Sequence, residues 1–366
     1  MGGRVAGAPA KPPHASNQPR LIKLDSNENP FGPSLRAIAA MQSALAAANS
    51  YPEDDCTELR AKLAAHHSVG EDQVLVTAGS TALLGLLCQT MLAPGLNAVT
   101  SERSFVVYSM AVRAAGAQLI ETPLCDEGFD LGAILAAINE DTRIVFLANP
   151  NNPTGTVLSA AAIDEFISEV PGHVVVVLDE AYYEFASYFG SIRKFEYSHS
   201  LDYVQRGASV LVLRTFSKAH GLAGLRVGYG LGPAELLAYC ARMRNTFSVS
   251  SVAQAAATAA LDDQSHIART VHNNAAQAKV MGVELCELGY LAVPTSANFI
   301  YVDVGEDASG FAERLRQEDV SVRPLGAWGA PTAIRVSIGT PEQNKAFLEW
   351  VHRIGEKIPR VVRNAR

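Results

Sequence analysis

Lys218 stands in Arg214-Thr215-Phe216-Ser217-Lys218-Ala219-His220-Gly221, directly after the apolar run Val210-Leu211-Val212-Leu213. In an open parallel sheet the ligand crevice lies beyond the carboxyl ends of the strands, and a lysine desolvated there becomes a neutral amine nucleophile. Eight residues on, Arg226 lies in Gly221-Leu222-Ala223-Gly224-Leu225-Arg226-Val227-Gly228. Small residues there let backbone and ligand approach closely, and a guanidinium can fork onto a phosphate. An amine nucleophile beside a phosphate-gripping arginine points to a phosphorylated aldehyde cofactor.

Other segments carry matching chemistry. Val174-Val175-Val176-Val177-Leu178 runs into Asp179-Glu180-Ala181-Tyr182, which puts a carboxylate at a strand end with a phenol three residues later. Such a carboxylate can pair with the pyridine nitrogen of pyridoxal phosphate, and Tyr182 can hydrogen-bond the ring's phenolic oxygen. Alone, Asp179 reads more readily as a helix N-cap. Asn149-Pro150-Asn151-Asn152-Pro153-Thr154-Gly155 is a turn by composition, and its Asn152 can also reach the phenolic oxygen. Gly79-Ser80-Thr81 opens a helix after Val74-Leu75-Val76; its amides and hydroxyls suit a phosphate and are also ordinary caps. Phe105 can stack on an aromatic ring or fill core. Arg335, within the alternating run Ala333–Ser337, can clamp a carboxylate or face outward, and Arg323 in Val322-Arg323-Pro324 is a second candidate anion contact.

The elements that must position these residues follow from periodicity. From Gln73 on, short β-branched runs alternate with helical ones, which predicts an α/β fold with a mostly parallel, doubly wound sheet. Expected strands are 73–76, 98–100, 118–121, 143–147, 173–178, 209–213 and 225–229, with helices beginning near Thr81, Val106, Leu131, Ser159 and Ala234. After Ser250 a long helix from Val252 to about Leu288 leads into a smaller α+β domain with strands at 299–302 and 333–337 and a helix near 308–318. The expected organisation is a flexible tail over 1–19, a segment over 20–49 packing with the small domain, a large cofactor-binding domain over 50–255 and a small domain over 256–366.

Composition narrows the function classes. A chain of 366 residues exceeds the roughly 250–300 at which one core stops growing, so two domains are expected. The net charge of −7 without a basic run argues against a nucleic-acid partner. Five dispersed cysteines without C-x-x-C spacing fit a reducing cytoplasm and argue against a disulfide framework or a thiolate metal site. The apolar stretch Val74 to Val99 is interrupted by polar residues and is no membrane span. A nucleotide-binding reading fails because Gly228-Tyr229-Gly230-Leu231-Gly232 misses the G-x-G-x-x-G pattern at Pro233 and no P-loop string occurs.

Taken together, Ser26-Asn27-Glu28-Asn29-Pro30, Tyr51-Pro52, Asn149–Gly155, Asp179–Tyr182, Thr215–Lys218 with Arg226, and Ile334-Arg335-Val336-Ser337-Ile338-Gly339-Thr340 resemble the fold type I aminotransferases that use pyridoxal phosphate. The resemblance covers almost the whole chain after Leu21 and is strongest to the histidinol-phosphate aminotransferases. It implies that Lys218 holds the internal aldimine, Asp179 pairs the pyridine nitrogen, and Asn152 and Tyr182 contact the phenolic oxygen. It further implies that Phe105 stacks on the ring and that Ser80, Thr81, Thr215, Ser217 and Arg226 cradle the phosphate. Arg335 matches the carboxylate clamp, Arg323 a position linked to a substrate phosphate, and Asn29 is a further expected substrate contact. Tyr51 matches a tyrosine that reaches the cofactor phosphate of the other subunit, which implies a homodimer with shared sites.

The implied reaction is a ping-pong transfer from histidinol phosphate to 2-oxoglutarate, giving glutamate. Rivals with the same fold are an aromatic amino-acid aminotransferase, a threonine-phosphate decarboxylase and a non-catalytic ligand sensor. The sensor is expected to carry a DNA-binding segment, for which the stretch before Leu21 has no room. One departure stands out: these enzymes usually carry an acidic pair just after the Gly-Ser turn, where this chain has Thr81-Ala82.

Overall fold

In the computed structural model, which describes residues 21–357, the inner strands of the central sheet, Thr142–Ala148, Val175–Asp179 and Val210–Thr215, are largely apolar. Seven strands run in the order Val74–Thr77, Gly228–Leu231, Val210–Thr215, Val175–Asp179, Thr142–Ala148, Asn97–Ser101, Gln118–Thr122. All neighbours pair in parallel except Gly228–Leu231, which is antiparallel to both of its partners. Every residue of Val175–Asp179 and Val210–Thr215 is buried, as expected for strands covered by helices on both faces. The tail expected over 1–19 lies outside the described residues.

The helices start where short polar side chains can take up orphan amides. Ser159 accepts from the Ala162 amide to open Ala160–Glu169, and Asp130 does the same for Leu131–Ala137 through Ala133. Asp263 likewise accepts from the His266 amide, which breaks the long helix expected from Val252 to Leu288 into Ser251–Leu261 and Gln264–Glu287. A second difference concerns the strand expected over 225–229. Ala223–Leu225 is a 3₁₀ turn and Arg226 has φ 53°, a left-handed conformation that no strand accommodates, so the strand begins at Gly228. Helices Tyr183–Arg193 and Ser200–Gln205 have no counterpart in the periodicity reading.

The smaller layer is a four-stranded antiparallel sheet in the order Leu291–Ala292, Phe299–Asp303, Ala333–Ser337, Arg323–Pro324. Its core is Met281, Leu285, Val302, Phe311, Leu315, Val336 and Phe347. The segment expected over 20–49 as a companion of this layer divides between the two cores. Ile22–Lys23 pairs in parallel with Val320–Ser321, and Leu24 joins the smaller core. Helix Leu35–Ala44 instead packs on Ser251–Leu261, and its Ala37 joins the larger core. A seam of Tyr182, Phe185, Ala219, Val271, Ala297 and Phe299 joins the two layers beside the carboxyl ends of the central strands.

Beneath those strand ends lies a buried ion pair. Arg214 donates from Nε and Nη2 to Glu180 Oε2 at 3.0 and 2.8 Å, Ser200 donates to the same oxygen, and Arg214 lies 3.5 Å from the Tyr183 ring centroid. The side chains are 4% and 1% exposed, so removing one partner strands a buried charge. Arg214→Leu should therefore cost about 3–5 kcal/mol in urea unfolding. Lys23→Ala, which breaks the exposed pair with Glu28, should cost under about 1 kcal/mol. Equal losses in the two variants would mean that the buried pair does not hold the strand ends.

Candidate active site

A cavity of about 460 Å³ opens between the carboxyl ends of the central strands and the smaller sheet. Lys218 enters it from the turn after Val210–Thr215, and Asp179 from the end of the neighbouring strand, where it lies opposite Leu213. Lys218 Nζ donates to the Ser26 carbonyl at 3.3 Å and sits 5.7 Å from the Tyr182 ring centroid. Burial, and then the charge of Arg335, lowers the Lys218 ammonium to a pKa of about 8. Asp179 is 5% exposed, and burial pushes its carboxyl up to about 6. Its Oδ2 accepts from the Tyr108 hydroxyl at 2.9 Å and its Oδ1 from the Ala181 amide at 3.2 Å, which leaves lone pairs for a further donor.

Opposite these groups, Tyr182 accepts from Asn27 Nδ2 at 3.0 Å, and Asn152 Oδ1 accepts from Arg335 Nη1 at 2.5 Å. A guanidinium only donates, so this contact fixes the Asn152 amide and leaves its N–H groups for another acceptor. Arg335 is 6% exposed; its Nη2 donates to the Asp25 carbonyl at 3.0 Å, while its Nε is buried without a partner. Arg323 lies directly opposite Arg335 on the adjacent strand and also donates to the Asp25 carbonyl. Like charges paired across a sheet repel, and an anion bound between them relieves that repulsion. Phe105 and Trp328 line the same cavity.

The far end is an anion cradle. Helix Ser80–Met91 begins without a side-chain cap, so its first amides and the positive end of its dipole face the cavity wall formed by Ser80 and Thr81. Arg226 Nη2 crowds Gly79, whose φ is 86° and where an added Cβ would lie 2.6 Å away. The guanidinium reaches Ser217 Oγ at 3.4 Å, and Thr215 holds Ser217 through its hydroxyl at 3.0 Å and its amide at 3.1 Å. The left-handed turn at Arg226 is what aims its side chain back at the helix start. An amine at one wall, a carboxylate at another and a cradle at the end fit a planar phosphorylated pyridine aldehyde.

Two expected residues lie elsewhere. Asn29 does not line the cavity: its Nδ2 donates to the Ala219 carbonyl and Thr270 hydroxyl, and its Oδ1 accepts from the Phe31 amide. With both ends of the amide occupied, it braces the Lys218 turn, and Ser26, Asn27 and Glu28 of the same segment face the cavity instead. Tyr51 is 83% exposed and stacked on Phe247 at 4.6 Å, away from this chain's own cavity. Residues that the sequence reading passed over are Asn27, Tyr108 and Trp328. Tyr108 had a signal, since it lies about one helical turn beyond Phe105.

The depressed Lys218 pKa gives a test. At pH 8 about half of this amine is neutral, against roughly 1 in 300 for an ordinary lysine. Removing the neighbouring cation in Arg335→Leu takes away a repulsion, so the Lys218 midpoint should rise and its reactivity at pH 8 should fall. Acylation rates of the Lys218 peptide, followed against pH by mass spectrometry, read this directly. A midpoint that stays or drops in the variant would reject the electrostatic coupling.

Comparison with known proteins gives the same picture. The model of the family "aminotransferase class I and II" matches residues 19–351. Histidinol-phosphate aminotransferase 2 of Pseudomonas fluorescens is 44% identical over 91% of this chain and 89% of the relative. Histidinol-phosphate aminotransferase of Moorella thermoacetica is 40% identical over 91% and 85%. Among solved structures, histidinol-phosphate aminotransferase from Sinorhizobium meliloti in complex with pyridoxal-5'-phosphate superposes with a TM-score of 0.85 at 28% identity, covering 91% of this chain and 90% of that one. Aspartate aminotransferase from Thermus thermophilus with maleate gives 0.80 at 27% identity, covering 92% of each chain. With this sheet order, this cavity and matches that span nearly its whole length, the chain belongs to the class I and II aminotransferase family and has its fold type I architecture.

Proposed function

We propose that this chain is a pyridoxal-phosphate-dependent transaminase that moves the amino group of histidinol phosphate to 2-oxoglutarate and works as a homodimer. The observation that carries the substrate choice is the register pair Arg323 and Arg335, two cations side by side on the wall opposite the cofactor cradle. Ser80, Thr81, Ser217 and Arg226 would hold the cofactor phosphate, with Thr215 orienting Ser217. Asp179 would take the pyridine nitrogen, Asn152 and Tyr182 the phenolic oxygen, and Phe105 the ring face. When bound, pyridoxal phosphate supplies an electron-withdrawing ring that stabilises negative charge at the substrate α-carbon.

The protein's own groups do the rest. Lys218 Nζ is the amine that would hold the cofactor aldehyde and, when free, would take the substrate's α-proton. Its lowered pKa keeps a large neutral fraction for that task near pH 8. Arg323 and Arg335 orient the phosphate of the donor in one half-reaction and a carboxylate of 2-oxoglutarate in the other. The exposed Tyr51–Phe247 stack is an aromatic patch of the kind that a second copy covers, which supports the dimer reading. Among the described residues no helix is long and apolar enough to cross a membrane.

A donor panel with purified, cofactor-loaded protein tests this reading. Histidinol phosphate should be the best amino donor with 2-oxoglutarate as acceptor, and Arg323→Ala should raise its KM about 10- to 100-fold. Turnover of phenylalanine should be slower and less sensitive to that substitution. Faster turnover of phenylalanine, or carbon dioxide release from a phosphorylated amino acid, would overturn the assignment. Lys218→Ala should abolish the yellow absorption band and its trapping by borohydride.

A further inference from the structure

Tyr108 takes no part in lining the cavity, yet it makes the only side-chain hydrogen bond among the described residues to Asp179. Its ring is 1% exposed, stacked on Phe146 at 4.6 Å with an interplanar angle of 6°, and set edge-on to Phe105 at 5.6 Å. Held on two sides, the phenol cannot swing away. Burial, reinforced by the Asp179 charge, pushes its hydroxyl well above the ordinary tyrosine range, so it stays protonated and donates throughout the working pH range. The donor is neutral, which matters. A cation in this position would compete with a protonated ring nitrogen for the carboxylate, whereas a phenol orients Oδ2 and leaves the negative charge of Asp179 in place.

We propose that Tyr108 is a positioning residue that holds Asp179 ionised and aimed into the cavity, and so sets the pH range over which the protein binds pyridoxal phosphate. This inference rests on the cofactor assignment proposed above. The other charged or titratable groups facing Asp179 are Lys218, which favours its ionisation, Glu180 beside it in sequence, which opposes it, and Tyr182 across the cavity. The Tyr108 hydroxyl is the largest of the contacts that favour the ionised form, acting against burial. Tyr108→Phe deletes that oxygen alone and keeps both ring contacts. Asp179 should then ionise at a higher pH, and cofactor affinity should weaken selectively on the acid side.

The experiment is equilibrium binding of pyridoxal phosphate to the cofactor-free protein and to Tyr108→Phe from pH 6 to pH 9, with thermal melting as a check on folding. Taking the ratio of the two dissociation constants at each pH cancels titrations they share, those of Lys218 and of the ligand phosphate. The ratio should be about fivefold or more near pH 6.5 and fall below about twofold near pH 9. In an Asp179→Asn background, Tyr108→Phe should add no pH-dependent loss. A ratio that is flat with pH, or a loss that persists in the Asp179→Asn background, would overturn the inference while leaving the function standing. A parent protein that binds no pyridoxal phosphate at any pH would overturn the cofactor assignment and this inference with it.

Discussion

The site depends on the parallel register between Val175–Asp179 and Val210–Thr215. The first strand ends at Asp179, opposite Leu213, and the second runs on to Thr215, so Asp179 and the turn carrying Lys218 both open into the cavity. Glu180, which follows Asp179, and Arg214, inside the second strand, tie the strand ends together from below through a buried, serine-satisfied ion pair. Such a pair contributes little net stability compared with an apolar substitute, because desolvation offsets most of the Coulomb attraction. Its effect here is on geometry: a one-residue slip between these strands would turn Asp179 away from Lys218 and part Glu180 from Arg214. The ion pair penalises that slip far more strongly than apolar contacts would.

A second constraint is electrostatic. Lys218, Arg226, Arg323 and Arg335 share one cavity with Asp179 and Glu28, so cations outnumber carboxylates. The backbone of the Asp25–Ser26 segment partly compensates. The Asp25 carbonyl accepts from both arginines of the smaller sheet and the Ser26 carbonyl accepts from Lys218. Neutral carbonyls are weaker partners than phosphates or carboxylates, which leaves the cavity biased toward dianionic ligands. The same surplus of positive charge helps depress Lys218, so the attraction for an anion and the lowered basicity of this amine arise from one charge distribution.

Much of this was legible in the chain, and the gaps have physical causes. Strands buried on both faces read as continuous apolar runs, so the residues at their carboxyl ends, Asp179, Asn152 and Lys218, stand out by position. Arg335 was recognisable as a charge inside an alternating strand, but only the fold places Arg323 opposite it. In Ser26-Asn27-Glu28-Asn29 the two asparagines are chemically identical. Which one faces the cavity is settled by the left-handed backbone at Asn27, φ 55°, and no local pattern encodes that. Tyr51 lies exposed on Phe247, away from this chain's own cavity, and a role in a second copy is outside what a single chain's periodicity can encode. The strand misplaced at Leu225 failed because Arg226 adopts a conformation that its residue type disfavours.

That strained arginine also gives meaning to the departure at Thr81-Ala82. Helix Ser80–Met91 carries no acidic residue in its first turn, although acidic side chains there normally stabilise a helix by opposing its dipole. A carboxylate at residue 81 would share the cavity wall with Arg226 and reduce its positive charge. Threonine supplies a hydroxyl donor and alanine removes competition, so the positive end of the helix stays available. The departure from the usual acidic pair therefore keeps hydroxyl and amide donors at this end of the cavity and leaves it more positive. The helix gives up the stabilisation of an acidic first turn, and an anion bound at its start would supply the same.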